Sequence, residues 1–304
     1  MVLVQQMIVL FILMGLGFFC GKKGFITDSF SKNLSWLVVN VATPAMILSA
    51  GMNYESTIRG KELLSGFLLS ILIYVFLIGF SFVLLPLVRV PDKDRNVYRV
   101  MAIFSNIGFM GLPIIQAAYG PEAVLYGTLF QFPYNFLMYT YGIAAMKGES
   151  PFKKGENLGR MINVGVISSA LAIVIYVSGI HMPEVLRISA RHLSSLAAPL
   201  SMMVIGQSMV HFDIKDVVND LRLLIFSLIK LVGLPILGIV LLRLFIHDEM
   251  LLHVCYIMLA TPIGSMTAMV AQQYGGNYTL ASKGVALSTV LSVITIPLVA
   301  LLVF

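Results

Sequence analysis

The chain has 304 residues, of which 59% are hydrophobic and 11% charged, and its mean hydropathy is +0.94. This composition is too apolar for one water-soluble core, so it predicts an integral membrane protein. The formal charge of +6 does not indicate a nucleic-acid partner, because Lys and Arg lie mostly between apolar runs, where they orient membrane segments. Cys20 and Cys255 lie in apolar stretches and predict neither a disulfide framework nor a metal site. We expect no cofactor.

Ten apolar segments are long enough, at roughly 18 to 28 residues each, to cross a bilayer as helices. The predicted spans are 2–21, 33–51, 62–88, 97–119, 122–146, 161–180, 186–209, 221–246, 250–273 and 277–304. The first has neither a basic start nor a small-residue cleavage site, so we interpret it as a membrane helix and not as a cleaved signal.

A polar stretch, KGESPFKKGENLGR at 147–160, divides the chain into halves at 1–146 and 161–304. Sliding the second half back by 155 residues aligns several glycines and prolines. These pairs are Gly24 with Gly179, Pro44 with Pro199, Gly51 with Gly206, and Gly120 with Gly275. Because each half holds five spans, an odd number, the second half enters the membrane from the opposite side. We therefore predict two inverted five-helix repeats joined by a cytoplasmic linker.

Orientation follows from the basic residues at the span ends. With an outside N-terminus, the inner loops hold the larger share of Lys and Arg. The positive-inside rule then predicts both termini outside, in a multi-pass protein of the cell (inner) membrane.

The fourth span is interrupted. Its sequence SNIGFMGLPIIQAAYG (105–120) places Asn106, Gly108, Gly111 and Pro113 in mid-membrane. Pro113 removes a backbone donor, and backbone groups left bare in lipid are costly. One reading is an ordinary kink, since Gly and Pro are more frequent in membrane helices; the other is a break that builds a site.

The ninth span contains a similar interruption at Thr261, Pro262 and Gly264, within ATPIGSMTAMVAQQYG (260–275). The 155-residue offset aligns this stretch with that of the fourth span. Paired interrupted helices in corresponding positions of two halves indicate a transporter binding site, which favours the second reading.

A broken helix presents the N-terminus of its second half to the protein interior, and such an end favours an anion. Asn106, Thr261, Ser265 and Thr267 can add hydrogen bonds from their side chains. All 14 acidic residues lie in loops or at span ends. The sequence thus argues against an antiporter that depends on buried aspartates.

Lys230 is the most deeply placed ionisable residue. It can act as a counter-charge for an anion, or it can extend toward the cytoplasmic interface. Asn40, Gln131 and Tyr134 are further candidate pocket residues, although amides and hydroxyls in membrane helices often bond only to neighbouring helices.

Three stretches of the sequence resemble the auxin efflux carrier family in its prokaryotic branch. They are NVATPAMIL (40–48), SNIGFMGLPIIQAAYG (105–120) and the long segment 259–299. The resemblance covers nearly the whole chain, and it implies the fold of bile acid/sodium symporters, in which the broken fourth and ninth helices cross. The family's asparagine on the fourth helix corresponds to Asn106, and its two prolines correspond to Pro113 and Pro262.

The resemblance also implies an elevator carrier. The helices of predicted spans 1, 2, 6 and 7 would form a dimerising scaffold, and those of spans 3–5 and 8–10 would form a moving transport domain. Prokaryotic relatives are often assigned to malate, malonate or similar carboxylates, which agrees with an anion site.

We therefore expect a secondary transporter of a small organic anion, a mono- or dicarboxylate, embedded in membrane lipid as a homodimer. The alternative is a membrane receptor that senses a ligand in the same pocket without moving it. An enzyme is not expected, because the sequence contains no HExxH or GxSxG motif and no acidic pair in mid-membrane.

Overall fold

The computed structural model describes residues 2–53, 60–148, 163–211 and 220–304. These residues form helices and no β-strand apart from one isolated bridge, so the all-α class is confirmed. Most of the predicted linker at 147–160 lies outside the described residues.

In the first half of the chain, two composite helices contain a π-helical turn between α-helical parts. The helices are α1 (Val2–Lys22), α2 (Asp28–Leu37) continuing through the π turn Val38–Ala42 into α3 (Thr43–Gly51), α4 (Gly60–Leu87), α5 (Arg95–Ile103), α6 (Leu112–Leu129) after the π turn Ile107–Gly111, and α7 (Gln131–Leu137) continuing through Met138–Gly142 into α8 (Ile143–Lys147). Helix α6 contains a kink at Gly120, whose backbone is not helical (φ 80°, ψ −173°).

The second half repeats this mixture of continuous and interrupted helices. It contains α9 (Val164–Ser178), α10 (Glu184–Ser195), α11 (Ala197–Ser208), α12 (Leu221–Leu228) continuing through the π turn Ile229–Gly233 into α13 (Leu234–Leu242), α14 (Glu249–Ala260), α15 (Ser265–Tyr274) and α16 (Tyr278–Val303).

Polar residues in the loops begin several of these helices. The side chains of Thr27, Asn163, Asp220, Asp248 and Asn277 each accept a hydrogen bond from the backbone N–H three residues later. Such N-caps satisfy donors that the first turn leaves without a partner. Two acidic residues expected at span ends, Asp220 and Asp248, therefore have a structural role there.

Four helices in the described part of the chain are long and apolar enough to cross a membrane by length and composition. They are Asp28–Gly51, Gly60–Leu87, Leu221–Leu242 and Tyr278–Val303. On α4, apolar side chains such as Leu72 and Val83 are more than half exposed, as expected for a surface that faces lipid. The fourth and ninth predicted spans are divided into shorter helices, and the count of ten spans stays a prediction.

The chain divides into two compact units. The first contains residues 1–67, 108–131 and 162–211, and the second contains 68–107, 132–161 and 212–304. Helix α4 contributes to both units, and the boundary at 107/108 falls directly after the break in the fourth span.

Close helix contacts through glycine hold the first unit together. Helix α1 packs along α11, and α3 packs along α9 and α10. A Cβ atom added to Gly17 would collide with the backbone of Met203, and one added to Gly206 would collide with the backbone of Met14. In the second helix pair, a Cβ on Gly51 would lie 2.5 Å from the carbonyl oxygen of Ala172. Small residues let membrane helices approach this closely.

The glycines that the 155-residue offset aligns share a conformation as well as a position. Gly24 and Gly179 have φ of 78° and 65°, and Gly120 and Gly275 have φ of 80° and 85°. A positive φ is unfavourable for residues with a Cβ. The structure thus explains why glycine occupies three of the four aligned pairs. Two pairs have a positive φ, and Gly51 and Gly206 leave no room for a Cβ.

Two neighbouring glycines on α1 allow a matched test of the close packing. Gly17→Ala should lower the free energy of unfolding by about 1–3 kcal/mol, because a methyl group must displace the backbone of α11. Gly15→Ala is the control, since a Cβ there meets nothing within 4 Å. Thermal unfolding of both variants in detergent measures the difference. Equal melting temperatures would contradict the packing described here.

Candidate functional site

The break in the fourth span begins where α5 ends at Ile103. The next residue, Phe104, is extended (φ −101°, ψ 101°), and the chain becomes helical again at Ile107. The break in the ninth span begins after Ala260, where Thr261 is extended (φ −63°, ψ 146°). Thr261 precedes Pro262, and a residue before proline avoids the helical region.

The two extended segments pair with each other in an antiparallel bridge between Ser105 and Ile263. The N–H of Asn106 donates to the carbonyl oxygen of Pro262 at 2.8 Å, and the N–H of Gly264 donates to the carbonyl oxygen of Phe104 at 2.9 Å. In lipid, backbone groups released from a helix must find partners inside the protein. Each break supplies such partners to the other. We call this paired region, residues 104–106 and 261–264, the crossing.

Gly264 is required by the close approach of the two segments. An added Cβ would lie 3.0 Å from the carbonyl oxygen of Ser105 and 3.2 Å from that of Phe104. Both neighbours are backbone atoms, which cannot rotate away. The backbone angles of Gly264 (φ −68°, ψ 137°) suit any residue, so the requirement is steric.

Helix α16 supports the crossing from its own side. The hydroxyl oxygen of Ser288 accepts a hydrogen bond at 3.0 Å from the N–H of Ile263, and its hydroxyl donates to the carbonyl oxygen of Val285. Thr261 closes the end of α14, since its hydroxyl donates to the carbonyl oxygen of Met258 at 3.2 Å. Side-chain hydroxyls thus satisfy backbone groups that the ninth-span break releases.

Lys230 is fully buried, with 0% of its surface exposed. Its Nζ donates to the carbonyl oxygen of Ala102 at 3.1 Å and to Oγ of Ser105 at 3.0 Å. The ammonium group lies at the C-terminal end of α5, where the helix dipole favours a positive charge. Lys230 therefore does not extend to an interface; it contacts the crossing.

The second half of the ninth span begins at the crossing. Helix α15 has ten residues, starts at Ser265 and has no side-chain cap. A helix start without a cap leaves N–H donors of its first turn without partners in the helix; of these, the N–H of Thr267 donates to the carbonyl oxygen of Gly264 at 2.9 Å. In this first turn, Thr267 is fully buried, and its hydroxyl has no hydrogen-bond partner among the described residues. Asn106 is also buried, with 6% of its surface exposed.

Tyr134 of α7 lies next to the crossing. Its ring packs edge-to-face on the ring of Phe104, with centroids 5.5 Å apart, and on Tyr74, at 6.4 Å.

The second unit contains most of the predicted site residues: Asn106, Thr261, Pro262, Gly264, Ser265, Thr267, Tyr134 and Lys230. Sequence reasoning missed Ser105 and Ser288, although Ser105 is the first residue of the stretch that revealed the break.

The remaining predicted residues belong to the first unit. They are Gly108, Gly111, Pro113, Asn40 and Gln131. Pro113 lies in the first turn of α6, which continues directly from the π turn Ile107–Gly111. The side chain of Asn40 donates to the carbonyl oxygen of Trp36 at 2.9 Å, a bond within its own helix.

These features define an all-helical, multi-pass membrane protein in which two interrupted helices are hydrogen-bonded at their breaks. A family model described as a membrane transport protein matches residues 2–164 and 152–300. The chain belongs to this membrane transport protein family, the auxin efflux carrier family, which confirms the resemblance seen in the sequence. It is therefore a membrane transporter and not an enzyme. No protein of curated function matches the chain.

The steric requirement at Gly264 gives a direct test of the crossing. Gly264→Ala should lower both the melting temperature and the transport rate, because its methyl group pushes on the carbonyl oxygens of the paired segment. Gly233→Ala, in the π turn after Lys230, is the matched control, since its Cβ would make an ordinary contact at 3.6 Å. Equal unfolding temperatures of the two variants would contradict the close pairing of the two segments at Gly264.

Proposed function

We propose that this protein is a secondary transporter of a small organic anion, a mono- or dicarboxylate such as malate or malonate, which binds beside the crossing. The observation that carries the proposal is the start of α15. An uncapped helix N-terminus and the buried, unpartnered hydroxyl of Thr267 lie in the same turn. A carboxylate can accept hydrogen bonds from both, because it has two oxygens with several acceptor positions.

The surrounding charges support an anion. A helix N-terminus carries about half a positive elementary charge. Lys230, whose Nζ donates to Ser105 on the other segment of the crossing, adds a buried amine at that segment. No Asp or Glu side chain is buried among the described residues, so none opposes a carboxylate in the interior. In this proposal Asn106 donates its side-chain amide to the substrate, and Ser265 and Thr267 donate their hydroxyls. Backbone N–H groups at the start of α15 complete the set.

Alternating access by an elevator movement completes the proposal. Two inverted repeats, each with five spans, give ten in all, and they are supported by the shared conformations of the aligned glycines. The scaffold is formed by the helices of spans 1, 2, 6 and 7, through which two copies associate as a homodimer. The transport domain is formed by the helices of spans 3–5 and 8–10. The protein lies in the cell (inner) membrane with both termini on the outer side, following the distribution of basic residues.

Counterflow in proteoliposomes tests the function. Vesicles loaded with unlabelled malonate or malate should accumulate the labelled compound, and protein-free vesicles should not. A thermal-shift screen of mono- and dicarboxylates in advance selects the anion, because a ligand of the folded state raises the apparent melting temperature. Binding without exchange of label would indicate a receptor and overturn the transporter proposal.

Asn106→Ala should reduce counterflow by at least about tenfold, the cost of one hydrogen bond to a charged group. Asn96→Ala is the matched control, because Asn96 lies near the start of α5 and away from the crossing. Unfolding temperature and expression level should be close to those of the wild-type protein for both variants. Undiminished exchange by the Asn106→Ala variant would show that Asn106 does not bind the substrate.

Two threonines allow the hydroxyl at α15 to be tested by the same substitution. Thr267 and Thr295 are both buried with unpartnered hydroxyls, but Thr295 lies within α16, far from a helix start. Thr267→Val should weaken carboxylate binding by about tenfold, whereas Thr295→Val should leave it unchanged. Isothermal titration with the selected anion measures both. Equal affinities for the two variants would contradict the assignment of Thr267.

A further inference from the structure

The break in the fourth span diverts a hydrogen bond away from the end of α5. In a continuous helix the carbonyl oxygen of Ala102 would accept from the N–H of Asn106, four residues later. Here the N–H of Asn106 donates to Pro262 of the other segment. Lys230 takes the place of the diverted donor, since its Nζ donates to Ala102 at 3.1 Å.

The atoms around Nζ are those that a metal cation would select. The carbonyl oxygen of Ala102 and Oγ of Ser105 are neutral oxygen ligands at a half-helix C-terminus. In transporters with discontinuous helices, unwound carbonyls and such helix ends coordinate Na⁺ or a proton. Hard cations such as Na⁺ prefer oxygen ligands of this kind. In this protein a covalently attached ammonium group lies there instead.

Different groups close the helix ends at the two breaks. The 155-residue offset aligns Lys230 with Val75 of α4, an apolar residue that is 59% exposed. At the break in the ninth span, the hydroxyl of Thr261 closes the end of α14. Lys230 is therefore not part of the repeated framework, and its position needs its own explanation.

We propose that the ammonium group of Lys230 is a tethered cation that replaces a dissociable Na⁺ at the crossing, so that neither the fold of the crossing nor transport requires Na⁺. A tethered group acts at a high effective concentration and does not leave during the transport cycle. Lys230 is in this role a positioning residue: it holds Ser105 and the end of α5, and it adds a fixed positive charge beside Asn106. The part of the proposal that concerns transport rests on the proposed function.

The first experiment measures stability and needs no substrate. The wild-type protein should have the same melting temperature in NaCl, KCl and choline chloride of equal ionic strength. Lys230→Ala removes the only described donor to the Ala102 oxygen and should lower that temperature by on the order of 5 °C. Propylammonium, which can fill the space of the lost side chain, should restore part of the loss, and choline, which is too large, should not.

Lys283→Ala is the matched control, because Lys283 is a partly exposed lysine of α16 in the same unit. It should respond to none of these salts. Specific stabilisation of the wild-type protein by Na⁺ would overturn the proposal, as would a Lys230→Ala variant that is as stable as the wild type or is not restored by propylammonium. If Lys230→Ala does not fold, the wild-type comparison among the three salts still decides.

The second experiment measures counterflow of the selected carboxylate with Na⁺, K⁺ or choline on both sides of the vesicle. Equal rates are expected for the wild-type protein, and a requirement for Na⁺ would overturn the proposal. Lys230→Met, which keeps the length of the side chain without its charge, should lose most of the exchange. Failure of the wild-type protein to exchange any carboxylate would contradict the proposed function alone, because the stability experiment tests the tethered cation independently.

Discussion

The structure depends on one constraint: a helix that is interrupted inside a membrane must find hydrogen-bond partners for the backbone groups it releases. The crossing meets this constraint by pairing the extended segments around Ser105 and Ile263 with each other. Gly264 is needed because the segments lie so close that a Cβ would press on two carbonyl oxygens. Ser288 and Lys230 satisfy further groups, one N–H and one carbonyl oxygen, that the pairing does not reach.

The same constraint explains why the breaks were visible in the sequence. Prolines and glycines have backbone reasons for their positions, so Pro262, Gly264 and the aligned glycines could be located without knowledge of side-chain contacts. The confirmed all-α membrane class and the membership of the transport family followed from composition and from motifs at these breaks. Four of the predicted spans correspond to helices that are long and apolar enough to cross a membrane, since hydropathy and loop polarity determine where a membrane helix ends.

The partners of the breaks could not be predicted in this way. Lys230 and Ser105 are 125 residues apart in the chain, and Ile263 and Ser288 are 25 residues apart. Nothing in a single sequence indicates which hydroxyl or ammonium group reaches a released backbone group. Helices α10 and α11 meet at Leu196, whose backbone stays helical (φ −78°, ψ −21°). Local signals reveal that a helix breaks, and tertiary packing decides what satisfies it.

The two breaks leave the crossing with opposite electrostatic requirements. The C-terminal end of α5 carries partial negative charge and favours a cation, and the N-terminal end of α15 carries partial positive charge and favours an anion. The chain itself supplies the cation, as Lys230, while the hydroxyl of Thr267 at the anion-favouring end stays without a described partner. In the proposed transporter the substrate carboxylate therefore binds near an amine that the protein itself holds at the crossing. Such an arrangement selects anions without a buried acidic residue, and it concentrates the selectivity at one end of one half-helix.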